Sequence, residues 1–229
     1  MGPRATHYFI DEVLGAFERT VRPTCDQDYP DLFVHFACSN PDRTAALLED
    51  DPRRLRQILV DQLWVLAEQG CDTLVVPCIS AHAVLDPIPV ELPVLDLRRA
   101  ALEHLVARTR EPGAIGVLGT RGTNASIRGG ALRTMSPCPI HVLGPADEER
   151  LMSAIYGDLK TAAAGEATID VLLALCERLR GAGAVRVVAG CTEIEMALAA
   201  SPRRPADVVL PLRIAAARVA APPGCAAAV

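Results

Sequence analysis

A chain of 229 residues that is half apolar can bury a core sufficient for one domain or two small α/β lobes. Its formal charge of −5 and aromatic content of 3% argue against nucleic-acid binding, which needs a basic surface and stacking platforms. Eight cysteines without a secretion signal point to reduced thiols, not a disulfide framework.

The first twelve residues lack the apolar run of a signal peptide, and Asp11 and Glu12 argue against one. Met1-Gly2-Pro3-Arg4-Ala5-Thr6 fits a myristoylation pattern formally, but patterns this short recur by chance. Leu32 to Phe36 reads as a strand. Pro52 to Gly70 reads as a helix, with Leu55, Leu59, Leu63 and Leu66 at helical spacing and Gly70 as its stop. Thr73 to Val76 is a short apolar strand of the buried parallel type. A helix from Arg98 to Arg110 and a strand from Ala114 to Leu118 follow. Helices are expected around Asp147 to Thr161 and from Ala167 to Arg180, then a strand from Val185 to Ala189, the run Val208 to Leu210, and a helix from Leu212 to about Ala221. Alternating β and α elements predict parallel sheets covered by helices. No stretch approaches the roughly 18 uninterrupted apolar residues of a membrane helix, and Cys225 lies one place too far from Val229 for a prenylation box. The expectation is a cytoplasmic protein acting on a small molecule, with no membrane or nucleic-acid partner.

No C-x-x-C pair or zinc-spaced histidine cluster is present, so no metal is expected. Gly116, Gly119 and Gly122 form a glycine-rich loop that matches neither the dinucleotide fingerprint nor a P-loop. Most cysteines in such a chain are inert buried hydrophobes. Two stand apart. Val75-Val76-Pro77-Cys78 and Val188-Ala189-Gly190-Cys191 each place a thiol at the end of an apolar strand, followed closely by Ser80 or Thr192. Ligands of open α/β sheets bind beyond strand carboxyl ends. The two cysteines lie about half the chain apart, which suggests one from each of two similar lobes.

A thiol at a strand end facing a helix start is expected to have its pKa lowered toward neutrality. Two such thiols across a substrate can act as paired base and acid at carbon. Without an electron sink, the carbanion needs fixed donors and cations around the substrate carboxylate. Lys160 is the sole lysine among 23 basic residues, so a compact ammonium is retained where the composition otherwise uses arginine.

These residues resemble the aspartate/glutamate racemase family. Met1 to Thr6 looks like its opening motif and Pro41-Asp42-Arg43-Thr44 like its carboxylate-binding segment. Pro77-Cys78-Ile79-Ser80-Ala81-His82 and Gly190-Cys191-Thr192-Glu193 are similar to its two cysteine motifs. Asp147 to Lys160 fits the helix before its substrate-contacting lysine. The resemblance implies two Rossmann-like lobes with parallel sheets related by pseudo-twofold symmetry, with the active site in the cleft between them. The first lobe would comprise 1–96 with 205–229, the second 97–204. It implies racemisation of aspartate or glutamate in a homodimer, without pyridoxal phosphate or any other cofactor. Cys78 and Cys191 would be the two bases, Arg43 and Lys160 would hold carboxylates, and Ser80, Thr120, Thr123 and Thr192 would contact the substrate.

Three departures from the pattern stand out. Ile79 occupies the position of a family Asn, Ser80 keeping the hydroxyl of the usual Thr beside it. Thr120-Arg121-Gly122-Thr123 replaces Thr-Thr-Gly-Thr, and Arg121 is expected to face solvent. The family's first strand precedes its opening motif, whereas here the motif comes first, as a misassigned start would produce. His82 is expected to hydrogen-bond locally, and Cys71 to sit in the core. Alternatives within the resemblance are a maleate-type isomerase, a decarboxylase acting on a related dicarboxylate, or a non-catalytic ligand-binding homologue.

Overall fold

Helical periodicity and short β-branched runs organise the chain into a mixed α/β fold with two parallel sheets, described in a computed structural model for residues 2–48, 51–85, 91–108, 113–130, 132, 136, 138–161 and 164–221. Met1, Arg110, Cys225 and the 222–229 part of the expected first lobe lie outside the described residues. Helix α1 (Pro3–Val21) comes first, followed by the short α2 (Arg43–Leu48) and by α3 (Pro52–Ala67). Two-residue strands β1 (Leu74–Val75) and β2 (Val94–Leu95) form one parallel sheet. Then come α4 (Leu97–Arg108), β3 (Ala114–Gly119), α5 (Arg121–Arg128), β4 (Ile140–Val142), α6 (Pro145–Ala154), α7 (Glu166–Gly181), β5 (Ala184–Gly190), α8 (Thr192–Ala200), β6 (Val208–Val209) and α9 (Pro211–Val219). The second sheet is all parallel in the order β4-β3-β5-β6.

The amphipathic helices form where the spacing places them. In α3 an Asp51 cap accepts the Arg54 N–H, Leu55, Leu59 and Leu63 turn inward, and Gly70 reverses the chain at φ 79°. In α7, Ile169, Leu172, Leu175, Cys176 and Leu179 pack against the centre of the larger sheet. Helix α1 was not foreseen. Its buried face of Ala5, Phe9, Val13 and Ala16 recurs at helical intervals, flanked by Ile10, Leu14 and Phe17, an amphipathic signal at least as clear as that of α3. The expected strand at Leu32 to Phe36 does not form. This segment has no ladder partner among the described residues, and Leu32, Phe33, Val34 and Phe36 are exposed. Apolar, β-branched composition makes a strand only when a neighbouring strand satisfies its backbone.

Segment 205–221 divides its contacts: β6 pairs with β5, while α9 packs on α1 and α4. Among the described residues, no helix is long and apolar enough to cross a membrane. A fully buried carboxylate ties α8 to α9. Glu195 accepts the backbone N–H groups of Leu212 at 2.8 Å and Arg213 at 2.9 Å, so a side chain caps the start of α9.

Burial pushes Glu195 up to about 8, although the two backbone donors pull the other way. Its folded pKa thus exceeds the ordinary 4.5, so its stabilisation is complete below about 4.5 and is lost as pH rises toward 8. We expect urea-unfolding free energy to fall across this window by up to about 1.4 kcal/mol per pH unit from this group. Glu195→Gln should flatten that slope, and an unchanged slope would refute the assignment.

Candidate active site

Both strand-end cysteines are positioned by sharp local geometry. After β1 the Cys78 N–H donates to the Val76 carbonyl at 2.7 Å, a three-residue turn that swings the sulfur out of the strand line. A single 3₁₀ turn, Ser80–Ala83, follows. His82 props this turn from beneath. Its Nε2 lies 3.2 Å from the Val76 carbonyl oxygen, and burial pushes its pKa down to about 4, so the neutral ring donates there. The local role expected of His82 is the one observed.

At the end of β5, Gly190 sits in register with Gly119 of β3. A Cβ at Gly190 would lie 2.6 Å from Val117 Cγ1 and 3.0 Å from the Gly119 Cα, so only glycine lets these strand ends meet. Cys191 then caps α8 and is 6% exposed. Its Sγ donates to Glu193 Oε2 at 3.0 Å, and the Thr192 hydroxyl donates to the same oxygen at 2.9 Å. The expected lowering of the thiol pKa is reversed at Cys191. Complete burial and the adjacent Glu193 carboxylate push it well above its ordinary value, outweighing the α8 N-terminus and the Glu193 N–H.

The charged wall is assembled from distant segments. Asn40 and Gln62 exchange amide hydrogen bonds of 2.9 and 2.6 Å, anchoring the loop before α2 onto α3. Asp42 next to it caps α2 by accepting the Ala45 N–H. Its other oxygen receives the Lys160 ammonium at 2.8 Å and the Tyr156 hydroxyl at 2.9 Å. Burial disfavours the Asp42 carboxylate, but hydrogen bonds from Lys160, Ala45 and Tyr156 outweigh it and hold the pKa to about 2. Lys160 and Tyr156 arrive through a single π turn, Ile155–Leu159, that continues α6. The ammonium also lies 3.8 Å from the Tyr156 ring centre. Arg43 donates to the Pro41 carbonyl at 3.0 Å, while its buried Nε has no hydrogen-bond partner among the described residues.

Three buried hydroxyls join the sheets. Ser80 Oγ lies 3.1 Å from Thr120 Oγ1 and 2.9 Å from Thr123 Oγ1, and the two threonines are 3.1 Å apart. Thr120 is the cap of α5, accepting the Thr123 N–H.

One cleft is lined by Arg43, Cys78, Ser80, Thr120, Lys160, Cys191 and Thr192. Thr123 stands behind it, on the wall of an apolar cavity that shares Ile79 and Ser80 with the cleft. Arg121 points outward and pairs with Glu149. Sequence reasoning missed Glu193, although it lies only two residues past Cys191 in the first turn of α8. It also missed the joining of Asp42, Tyr156 and Lys160. A Tyr four residues before the sole lysine was the available signal. The partnership of Cys191 with Glu193 and of Cys78 with Arg43, across one cleft, offers two sulfur acid–base groups and a fixed guanidinium.

A sequence model of the family described as Asp/Glu/Hydantoin racemase matches residues 1–219. The chain is 28% identical over 94 residues to the broad specificity amino-acid racemase RacX of Bacillus subtilis, a match that spans 41% of this chain and 40% of that protein's length. It is similar in fold to a candidate Asp/Glu racemase from Yersinia pestis, with a TM-score of 0.74 and 20% identity over 95% of this chain and 93% of the other. The aspartate racemase of Picrophilus torridus gives a TM-score of 0.68 and 20% identity, covering 86% and 80% of the two chains.

Gly190→Ala tests the strand-end geometry. Overpacking against Val117 and Gly119 should cost about 1–3 kcal/mol in stability and displace Cys191. Wild-type thermal stability in this variant would show that the close approach is not required.

Proposed function

The chain belongs to the Asp/Glu/Hydantoin racemase family, and on that premise we propose that it is an amino-acid racemase, an isomerase that inverts the α-carbon through Cys78 and Cys191. The observation that carries this reading is that the two thiols, from the ends of strands in different sheets, line one cleft beside Arg43. The names of the relatives, one a broad specificity amino-acid racemase and one an aspartate racemase, support an α-amino acid as the substrate class.

In the proposed reaction Arg43, whose side chain borders the cleft, holds the α-carboxylate. Cys78 as thiolate removes the α-proton, with Arg43 beside it as counter-charge. Cys191 enters as the thiol, the form its burial favours, and delivers a proton to the opposite face. Its sulfur is then the thiolate. For the enantiomer of opposite hand the roles exchange: the Cys191 thiolate left by the first turnover removes the α-proton, and the Cys78 thiol formed in it delivers its proton to the opposite face. The developing negative charge on the substrate carboxylate is met by the guanidinium and by hydroxyls at Thr120 and Thr192. The cleft is proposed to lie between two lobes, one built on each sheet.

Separating enantiomers by chiral chromatography after incubation with each amino acid tests the two-base reading. Cys78→Ala and Cys191→Ala should each lose at least about 10²-fold in racemisation, because proton transfer by each positioned group is worth about 10²–10⁴. Racemisation that persists near the wild-type rate in either variant would overturn it.

A further inference from the structure

Two features of the cleft bear on which side chain it accepts. The first is charge. Asp42, Arg43, Lys160 and Glu193 border it, two cations against two anions. Lys160 gives one of its three N–H donors to the Asp42 carboxylate at 2.8 Å, and its ammonium lies 3.8 Å from the Tyr156 ring centre. Asp42 in turn holds the start of α2. Freeing the ammonium for a ligand would leave Asp42 without its main counter-charge. Arg43 donates to the Pro41 carbonyl and forms no salt bridge to a carboxylate among the described residues, so the cleft offers one ready carboxylate site, with Glu193 as the anion for a substrate ammonium.

The second feature is the space behind the cleft. Ile79 and Ser80 border both the cleft and an adjoining cavity of about 40 Å³. Its wall is almost entirely carbon, from Leu97, Ala101, Leu102, Ile115, Val117 and Val188. One water needs roughly 10–15 Å³ of such space, so the cavity admits about three groups of that size, the bulk of a short aliphatic chain. A water there would lack the two to four polar partners it needs, and a carboxylate would be desolvated without a donor.

We infer that the site takes neutral α-amino acids with aliphatic side chains, lodged past Ile79 in this cavity, in preference to aspartate or glutamate. The inference rests on the racemase reading above and narrows its substrate. Selectivity follows from the balance of charges: a monocarboxylate zwitterion keeps the cleft neutral, whereas a second carboxylate adds an uncompensated negative charge beside Asp42 and Glu193 or faces Ile79.

The test is α-proton exchange in D2O, followed by proton NMR, for both enantiomers of leucine, methionine, norvaline, alanine, aspartate and glutamate. We expect kcat/KM for leucine or methionine to exceed that for aspartate by at least tenfold. Ile79→Asn, which adds an amide where the side chain would pass, should shift the leucine-to-aspartate ratio by at least tenfold toward aspartate. Ile79 also packs with Phe9, Leu97 and Leu212, so a second variant guards against misfolding. Ala101→Val, with its fold checked by circular dichroism, should depress leucine relative to alanine by about tenfold, a selective loss that general destabilisation does not produce. Faster exchange of aspartate or glutamate than of every neutral amino acid would overturn the inference and leave the racemase reading standing. An unchanged leucine-to-alanine ratio in Ala101→Val would remove the cavity from the argument and overturn the placement of the side chain. Absence of exchange with any amino acid would overturn the racemase reading, and the inference with it.

Discussion

The meeting of β3 and β5 at Gly119 and Gly190 is the constraint on which the site rests. A Cβ at Gly190 would run into Val117 and the Gly119 backbone of β3, and one at Gly119 would crowd Thr123 and Asn124 of α5, so both strand ends are held to glycine by their neighbours. Each strand then feeds a helix within a residue. β3 delivers Thr120 as the cap of α5, and β5 delivers Cys191 as the cap of α8. The hydroxyl triangle extends this junction to Ser80, two residues beyond Cys78 and in the other sheet's connection. The crowded strand ends place Cys191, and the hydroxyl triangle ties the Cys78 turn to them.

Around that junction, charges are placed in pairs instead of singly. A lone buried charge costs several kcal/mol, and pairing offsets that cost without necessarily adding stability. Lys160 with Asp42 and Cys191 with Glu193 are best understood as positioning devices. The first pins the π turn after α6 to the loop before α2. The second holds the Cys191 thiol in its protonated form, while Cys78 stands near the Arg43 guanidinium.

Much of this was legible in the sequence, and what was not has identifiable causes. The helices α3 and α7 announce themselves through leucines at helical spacing, and β3 and β5 through apolar runs bounded by glycine. The two cysteines were found because a strand end is a local property. Leu32 to Phe36 misled because strand formation depends on a neighbour that composition cannot reveal. Helices α5 and α8 were absorbed into the motifs that open them, and β2 is only two residues long. The joining of Asp42 to Lys160 spans 118 residues of chain, and the Tyr one turn before the lysine marks only one end of it. Thr123 lies three residues from Thr120, close enough for both to share a motif, yet one helical turn is enough to carry its side chain from the cleft to the cavity behind.

The solitary lysine has a practical corollary. Reagents that acylate or carbamylate primary amines meet one side-chain target in the whole polypeptide, and it lies inside the cleft. Burial weakens the hold of Lys160 on its proton, but the carboxylate of Asp42 outweighs this and keeps the nitrogen protonated, hence poorly nucleophilic. A label that does attach there reports directly that the clasp with Asp42 has opened. The protein thus carries its own chemical gauge of how tightly the entrance to the cleft is held.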